Sequence, residues 1–307
     1  MKKILVIYFT QSGQLRSILD NVVQDIKGET EIDYAEIKLV KPFPFPWKAS
    51  SFFDAMPECV LQIPSAIQPM PQLRAKDYDL VIFGYQPWFL SPSNPSNSFL
   101  KSEWANVLKG KPVLTVIGSR NMWLNAQEKV KAEFERLGAN HVGNIVLEDK
   151  NSNLVSLLTI IRWLFKGQKE ASKRLPAAGV SDSDITDAHR YGKPILEHLQ
   201  QNKHPGLQAQ LLLMGAIHLR PGLIVLEKRG VSQFPKWAKR ARAKGEPGNP
   251  ERAKVIKNFQ RLLLTAIFVL SPITSMVANL QTALSKKRLM KEVDYFKGVQ
   301  YLPGKLN

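Results

Sequence analysis

Three unbroken apolar runs mark the first half of the chain: ILVIYF (Ile4 to Phe9), LVIFG (Leu80 to Gly84) and VLTVIG (Val113 to Gly118). Runs without polar alternation are strands buried on both faces, as in a parallel sheet covered by helices. They sit in strand spans predicted at Lys2 to Thr10, Asp79 to Gly84 and Pro112 to Gly118, with further strands at Glu31 to Leu39 and His141 to Leu147. Between them, Gln14 to Lys27, Ser96 to Lys109 and Asn125 to Leu137 place apolar residues at helical spacing, as in the stripe Leu15, Ile18, Leu19, Val22, Val23, Ile26. Alternating strands and helices predict an α/β fold, a doubly wound parallel five-stranded sheet, whose ligands bind outside the carboxyl ends of the strands. Lys41 to Gln72, which contains PFPFPW, interrupts the alternation and reads as an ordered insertion over the sheet.

The second half has a different pattern. Leu154 to Phe165, Leu207 to Leu219 and Leu262 to Ser285 are strongly apolar, and the last carries no charge over its 24 residues. Its length could span a bilayer, but Ser271-Pro272 is a helix-start signal, which favours two helices meeting at Ser271. A membrane-surface hairpin, a homodimer interface, a cover for a lipid-like substrate and a plain helical core all stay open. The chain divides at about residue 202 on this reading, into an α/β domain (1–202, insertion 41–72) and a basic, mainly helical extension (203–307).

Charge sharpens that division. Residues 1–150 hold 17 Lys+Arg against 16 Asp+Glu, whereas residues 151–307 hold 26 against 10, so nearly all of the net +17 lies in the second half. Its centre is Glu227 to Arg261, with 11 basic and 3 acidic residues interleaved with Phe234 and Trp237. An anionic membrane surface or an acidic acyl carrier protein would suit it, as would a purely solvated face. No recognisable nucleic-acid module accompanies it, so nucleic acid is not an expected partner. A lone Cys59 forms no intrachain disulfide and fits a reducing compartment. MKKILVIYFT reads as a strand rather than a signal peptide, so a cytoplasmic protein is expected, peripheral at the inner membrane surface if the extension binds lipid. No metal site is predicted: the five histidines lack ligand spacing, and SDSDITD lacks the glycine and terminal glutamate of a calcium loop. Ser181 or Ser183 there caps a helix running through Ile195 to Leu199.

Candidate chemistry starts at FTQSGQLRS (Phe9 to Ser17), where the first strand meets the first helix. It has neither the spaced glycines of a dinucleotide fingerprint nor the Gly-Lys-Ser/Thr of an NTPase loop. Thr10, Ser12 and Gly13 offer two hydroxyls and close backbone approach to an anion; the plain alternative is a turn capped by Ser12. The loop resembles that of the flavodoxin-like family, Thr-x-Ser/Thr-Gly-Asn-Thr, which wraps the phosphate of FMN. Gln14 and Leu15 stand where that family has Asn and Thr. The resemblance implies FMN as cofactor and two further loops that hold its ring. One is GYQPWFLSPSNP, with Pro87, Trp88, Phe89 and Leu90; the other is GSRNMW, with Gly118, Ser119, Arg120, Asn121 and Trp123. Trp88 and Phe89 offer stacking faces, and the Gly118 to Asn121 backbone with Arg120 offers donors to the pyrimidine edge. Packing against the insertion is the alternative for Trp88, Phe89 and Trp123.

The family's small electron carriers are acidic; this chain is twice their size and basic. The string VIGSRNMWLNAQEKVKAEFERLGANHVGNIVLEDKNSNLVS is similar to flavodoxin-like proteins of bacterial dialkylresorcinol gene clusters. That resemblance implies oxidation of a 2,5-dialkylcyclohexane-1,3-dione, a hydrophobic small molecule made by a partner ketosynthase, to a dialkylresorcinol. Such an aromatase needs a modest base and a donor to the developing enolate. Tyr85, Arg120 and His189 are candidates, against plain roles as core tyrosine, FMN ligand and surface or capping histidine. An NAD(P)H-dependent quinone reductase and a flavin-free binding or scaffold protein are the other readings.

Overall fold

Along the first strand, β1 (Lys2–Tyr8), Ile4, Val6 and Tyr8 face one side and Leu5 and Ile7 the other, and all are buried. Such a strand has no solvent face, so helices must cover it on both sides. The structure, a computed structural model, describes residues 1–74, 77–270 and 286–306. β2 (Thr30–Glu36), β3 (Leu80–Tyr85), β6 (Pro112–Ser119) and β7 (Asn140–Glu148) join β1 in the order β2-β1-β3-β6-β7, every neighbouring pair parallel. β4 (Pro87–Trp88) and β5 (Ser91–Pro92) form a separate hairpin. Numbered by sheet strands alone, this is the 2-1-3-4-5 order of the flavodoxin-like doubly wound fold.

The helices are α1 (Gln14–Val22), α2 (Ala49–Asp54), α3 (Met56–Leu61), α4 (Asn94–Leu100), α5 (Leu124–Leu137) and α6 (Asn153–Lys166). They continue with α7 (Asp182–Asp187), α8 (Gly192–Gln200), α9 (Leu207–Leu213), α10 (Pro221–Arg242), α11 (Pro250–Thr265) and a final helix, Lys286–Lys297. One face of the sheet packs on α1, α7, α8 and α9; the other packs on α4, α5 and the final helix. The five predicted strands are present with ends shifted by a few residues. Predicted helix Gln14 to Lys27 breaks at Val23 into α1 and a 3-10 turn, and Ser96 to Lys109 becomes α4 and a second 3-10 turn. Ser181 caps α7, its Oγ accepting the Asp184 N–H at 3.1 Å, but α7, a 3-10 turn and α8 replace one continuous helix.

The extension does not stand apart from the sheet. Leu207 and Leu211 of α9 join the core beneath α1, and Ile217, Ile224, Val293 and Phe296 join the core beneath α5. Along the β7 edge, the Asn144 N–H donates to Gln208 Oε1 at 2.7 Å and the Val146 N–H to the Ala216 carbonyl at 2.9 Å. An edge left unpaired would template aggregation, and the chain beyond residue 202 covers it. A third apolar cluster joins Ala238, Ala241, Ile256 and Phe259 of α10 and α11 to Phe53, Met56 and Val60 of the insertion. The fully buried Arg252 guanidinium of α11 fixes that junction through Asp54 and Glu58. α11 leads into a π-helical turn, Ala266–Leu270; the predicted helix junction at Ser271 lies outside the described residues. Among the described residues no helix is long and apolar enough to cross a membrane.

Candidate functional site

The loop after β1 turns at Gly13, whose φ of +86° lies in the left-handed region that favours glycine. Ser12 does not cap α1, which begins with no side-chain acceptor on its first N–H groups. Those donors and the positive end of the helix are what an anion takes. Thr10 Oγ1 is turned inward, accepting the Gly13 N–H at 3.1 Å. Gln14 is structural: its amide donates to the Val180 carbonyl at 3.0 Å and accepts the Val180 N–H at 3.1 Å, tying the chain before α7 to the start of α1. Leu15 is fully buried in the core, which leaves only its main chain for a ligand.

The loop after β3 is the β4–β5 hairpin. Its tip residues Phe89 and Leu90 have φ of +49° and +58°, a two-residue turn in which Asn and Gly are the usual occupants. Bulky residues there cost on the order of 1–3 kcal/mol each, so neighbours must hold them. Phe89 packs on Phe52 of α2 with ring centroids 4.8 Å apart, and the Leu90 carbonyl accepts from Asn125 Nδ2 at 2.6 Å. Leu90 fills a notch at Gly230 of α10, where an added Cβ would lie 2.5 Å from its Cδ1. Trp88 meets Phe9, Phe43 and Trp47 at 5.7, 5.5 and 5.4 Å. Trp88 and Phe89 therefore pack against the insertion and line the cavity at once.

The loop after β6 supplies the polar end. Arg120 Nη1 donates to the Asn153 carbonyl at 3.1 Å and to Asn153 Oδ1 at 2.8 Å, which also accepts from Asn121 Nδ2 at 2.9 Å. Burial pushes the Arg120 guanidinium down to about 10, with nearby Arg220 adding to the shift and Asp149 opposing it. Ser119 Oγ and Asn121 Oδ1 are buried without a hydrogen-bond partner. Native interiors seldom leave such atoms unpaired, so they mark a place for a ligand or water.

These loops open on one cavity of about 980 Å³, walled by the insertion, α6, α10 and α11. That is the upper end of the range for small-molecule sites, ~300–1,000 Å³. Of the predicted residues, Ser12, Gln14, Pro87, Trp88, Phe89, Leu90, Gly118, Ser119, Arg120 and Asn121 line it. Trp123, 1% exposed, is instead in the core beneath α5. Tyr85 is fully buried, donates to Gln127 Oε1 at 2.6 Å and is held well above the usual tyrosine range by that burial. His189 lies beside α1, 2.8 Å from Asp25 Oδ2, and does not line the cavity. Of the three catalytic candidates only Arg120 reaches the cavity. Among the described residues no group of three or more His, Cys, Asp or Glu could hold a metal.

Sequence reasoning offered the extension as a substrate cover but assigned no role to its buried acid beside the loops. Glu227 of α10 is fully buried, and its Oε1 accepts the Asn125 N–H at 2.8 Å, capping α5 beside the Arg120 loop. Burial pushes its carboxyl up to about 7 against that hydrogen bond, and Oε2 has no partner. The available signal was a solitary acid opening a basic run with no second acid before Glu246.

No protein-family model matches the chain, and no curated protein matches it. Solved structures do. A flavoprotein in complex with FMN from Lactobacillus acidophilus NCFM is similar at 18% identity over 48% of this chain and 93% of its own, with a TM-score of 0.36. A flavodoxin from the domain Archaea is similar at 13% identity over 64% of this chain and 99% of its own, TM-score 0.37. A flavone reductase is similar at 13% identity over 66% of this chain and 64% of its own, TM-score 0.36. The fold assignment rests on the strand order, independently of these likenesses.

Proposed function

We propose that the chain is an FMN-dependent oxidoreductase that aromatises a 2,5-dialkylcyclohexane-1,3-dione to a dialkylresorcinol. The observation that carries this reading is one large apolar cavity that joins an uncapped helix N-terminus to a buried polar end. The residues present fit FMN. The first turn of α1 with Gly13 suits its phosphate, Trp88 and Phe89 supply apolar walls, and Ser119 and Asn121 supply polar groups for its pyrimidine edge. Bound flavin would supply the hydride acceptor.

The chain's own residues bind, orient and stabilise charge. The described cavity lining carries no carboxylate and no imidazole; its titratable side chains are Arg120 and Arg229. Aromatisation must take a hydride from one ring carbon and a proton from its neighbour beside a carbonyl; with no side-chain base in the lining, that proton would pass to a water at the polar end while a fixed cation holds the enolate oxygen. Arg120 is that cation, oriented by Asn153 and poorly solvated, which strengthens its hold on an anion. The walls of α6, α10 and α11 take the alkyl chains and exclude water. The test is anaerobic mixing of FMN-loaded protein with the dione. Loss of the flavin's visible absorbance together with resorcinol formation is expected. Bleaching by NAD(P)H alone, with the dione inert, would favour a quinone reductase, and a protein that takes up no flavin would favour a scaffold.

A further inference from the structure

On α6 and at the end of α11, side chains that line the cavity are apolar yet exposed. Leu158, Leu262 and Phe268 line the cavity, yet are 37%, 49% and 41% exposed. Leu154, one turn before Leu158 on α6, is 50% exposed. Grouped exposed apolar residues of this size mark an interaction surface. Cations lead up to the same patch. On α11 the exposed Lys257 and Arg261 lie on the stripe that continues through Leu262, Thr265 and Phe268. On α10, exposed Lys236 follows Gln233 of the cavity lining on one face. Lys236, Lys257 and Arg261 form no ion pair among the described residues, although most acids of this half are engaged elsewhere.

We propose that this patch docks on an anionic bilayer surface, with Leu154, Leu158, Leu262 and Phe268 entering the acyl boundary and Lys236, Lys257 and Arg261 meeting the headgroups. A bilayer matches both parts of the surface: it takes apolar side chains at its centre and cations at its edge. An acidic carrier protein would satisfy the cations and leave the leucines and Phe268 without a matching environment. The docking turns this side of the cavity toward lipid, so an amphiphile enters the cavity without crossing water. It does not depend on which flavin or reaction the cavity serves.

The test is co-sedimentation of the full chain with vesicles of phosphatidylcholine alone or of an equal mixture with phosphatidylglycerol. Binding to the mixed vesicles is expected, weakening as salt shortens the screening length from ~30 Å at 0.01 M to ~3 Å at 1 M. Each cation near the surface should contribute about fivefold in affinity. Lys236→Glu, Lys257→Glu and Arg261→Glu together should therefore weaken binding by at least ~100-fold. Leu154→Asn with Leu262→Asn should lower binding at every salt concentration. Both variants should keep the wild-type circular dichroism, since the substituted side chains are exposed. Equal recovery with both vesicle types at every salt concentration overturns the proposal, as does no recovery with either. So does a stable dimer disrupted by the Leu154→Asn, Leu262→Asn pair, which would show a second copy covering the patch. Capture by an acidic carrier protein with no vesicle binding would assign the surface to a protein partner instead.

Discussion

Glu227 ties α10 to the start of α5 through a single carboxylate. Burial pushes its carboxyl up from 4.5 to about 7 on folding. The folded state therefore holds the extra proton between those values. Stability is fully present below the lower one and falls as pH rises through the upper. Glu227→Gln keeps an acceptor for the Asn125 N–H and removes the titration, so its stability relative to wild type should rise between about pH 5 and about pH 8, by roughly 2.5 kcal/mol. Denaturant unfolding at the two pH values measures this, and parallel profiles would remove Glu227 as the cause. Gly230 leaves room on α10 for Leu90. An alanine there should add about 1 kcal/mol of helix propensity, yet its Cβ meets Leu90 Cδ1 at 2.5 Å. Leu90 Cδ1 ends a side chain that borders the cavity and can turn aside, so the propensity gain should win and raise the denaturation midpoint; a lowered midpoint would show that the positive-φ turn holds Leu90 rigidly in the notch. Tyr85 shows how the sequence can mislead and how it could have corrected itself. It ends β3, beside the loops, but strand alternation puts Val81, Phe83 and Tyr85 on one face, and that face is covered by α5. Arg120, beyond the end of β6, escapes that alternation and reaches the cavity.

At the scale of elements, the insertion is held by α11. The Arg252 guanidinium bonds Asp54 Oδ1 through Nε at 2.7 Å and Glu58 Oε1 through Nη1 at 2.8 Å. Removing one partner of a buried ion pair leaves charge uncompensated, typically at ~3–5 kcal/mol. Arg252→Met should lose about that much stability in denaturant unfolding and open Lys48 to Gln62 to protease. Unchanged stability and cleavage would mean that apolar packing alone holds α2 and α3. The aromatics of PFPFPW and the buried strands were legible because their patterns are local. The partner of Arg252 was not, because Glu58 lies 194 residues away and no period links the two. Gln14 in the first loop belongs to the same class, as its function is a bond to Val180 across 166 residues.

For the molecule as a whole, charge composition suggested a basic appendage on a neutral domain, whereas the extension covers the β7 edge and walls the cavity. A chain ending at Asn202 would lose the Gln208 and Ala216 partners of the β7 edge and the core side chains Leu207, Leu211, Ile217 and Ile224. It should be insoluble or melt without cooperativity; a soluble, cooperatively melting 1–202 fragment would show the extension to be dispensable. The central claim is that the described cavity holds FMN with its phosphate at the start of α1. Its direct measurement is titration of the full chain with FMN and with riboflavin, followed by flavin and tryptophan fluorescence. Saturable quenching with one FMN per chain, weaker riboflavin binding, and loss of the difference between the two in Gly13→Val are expected. No saturable quenching by either flavin, or equal affinity for both, would contradict that claim.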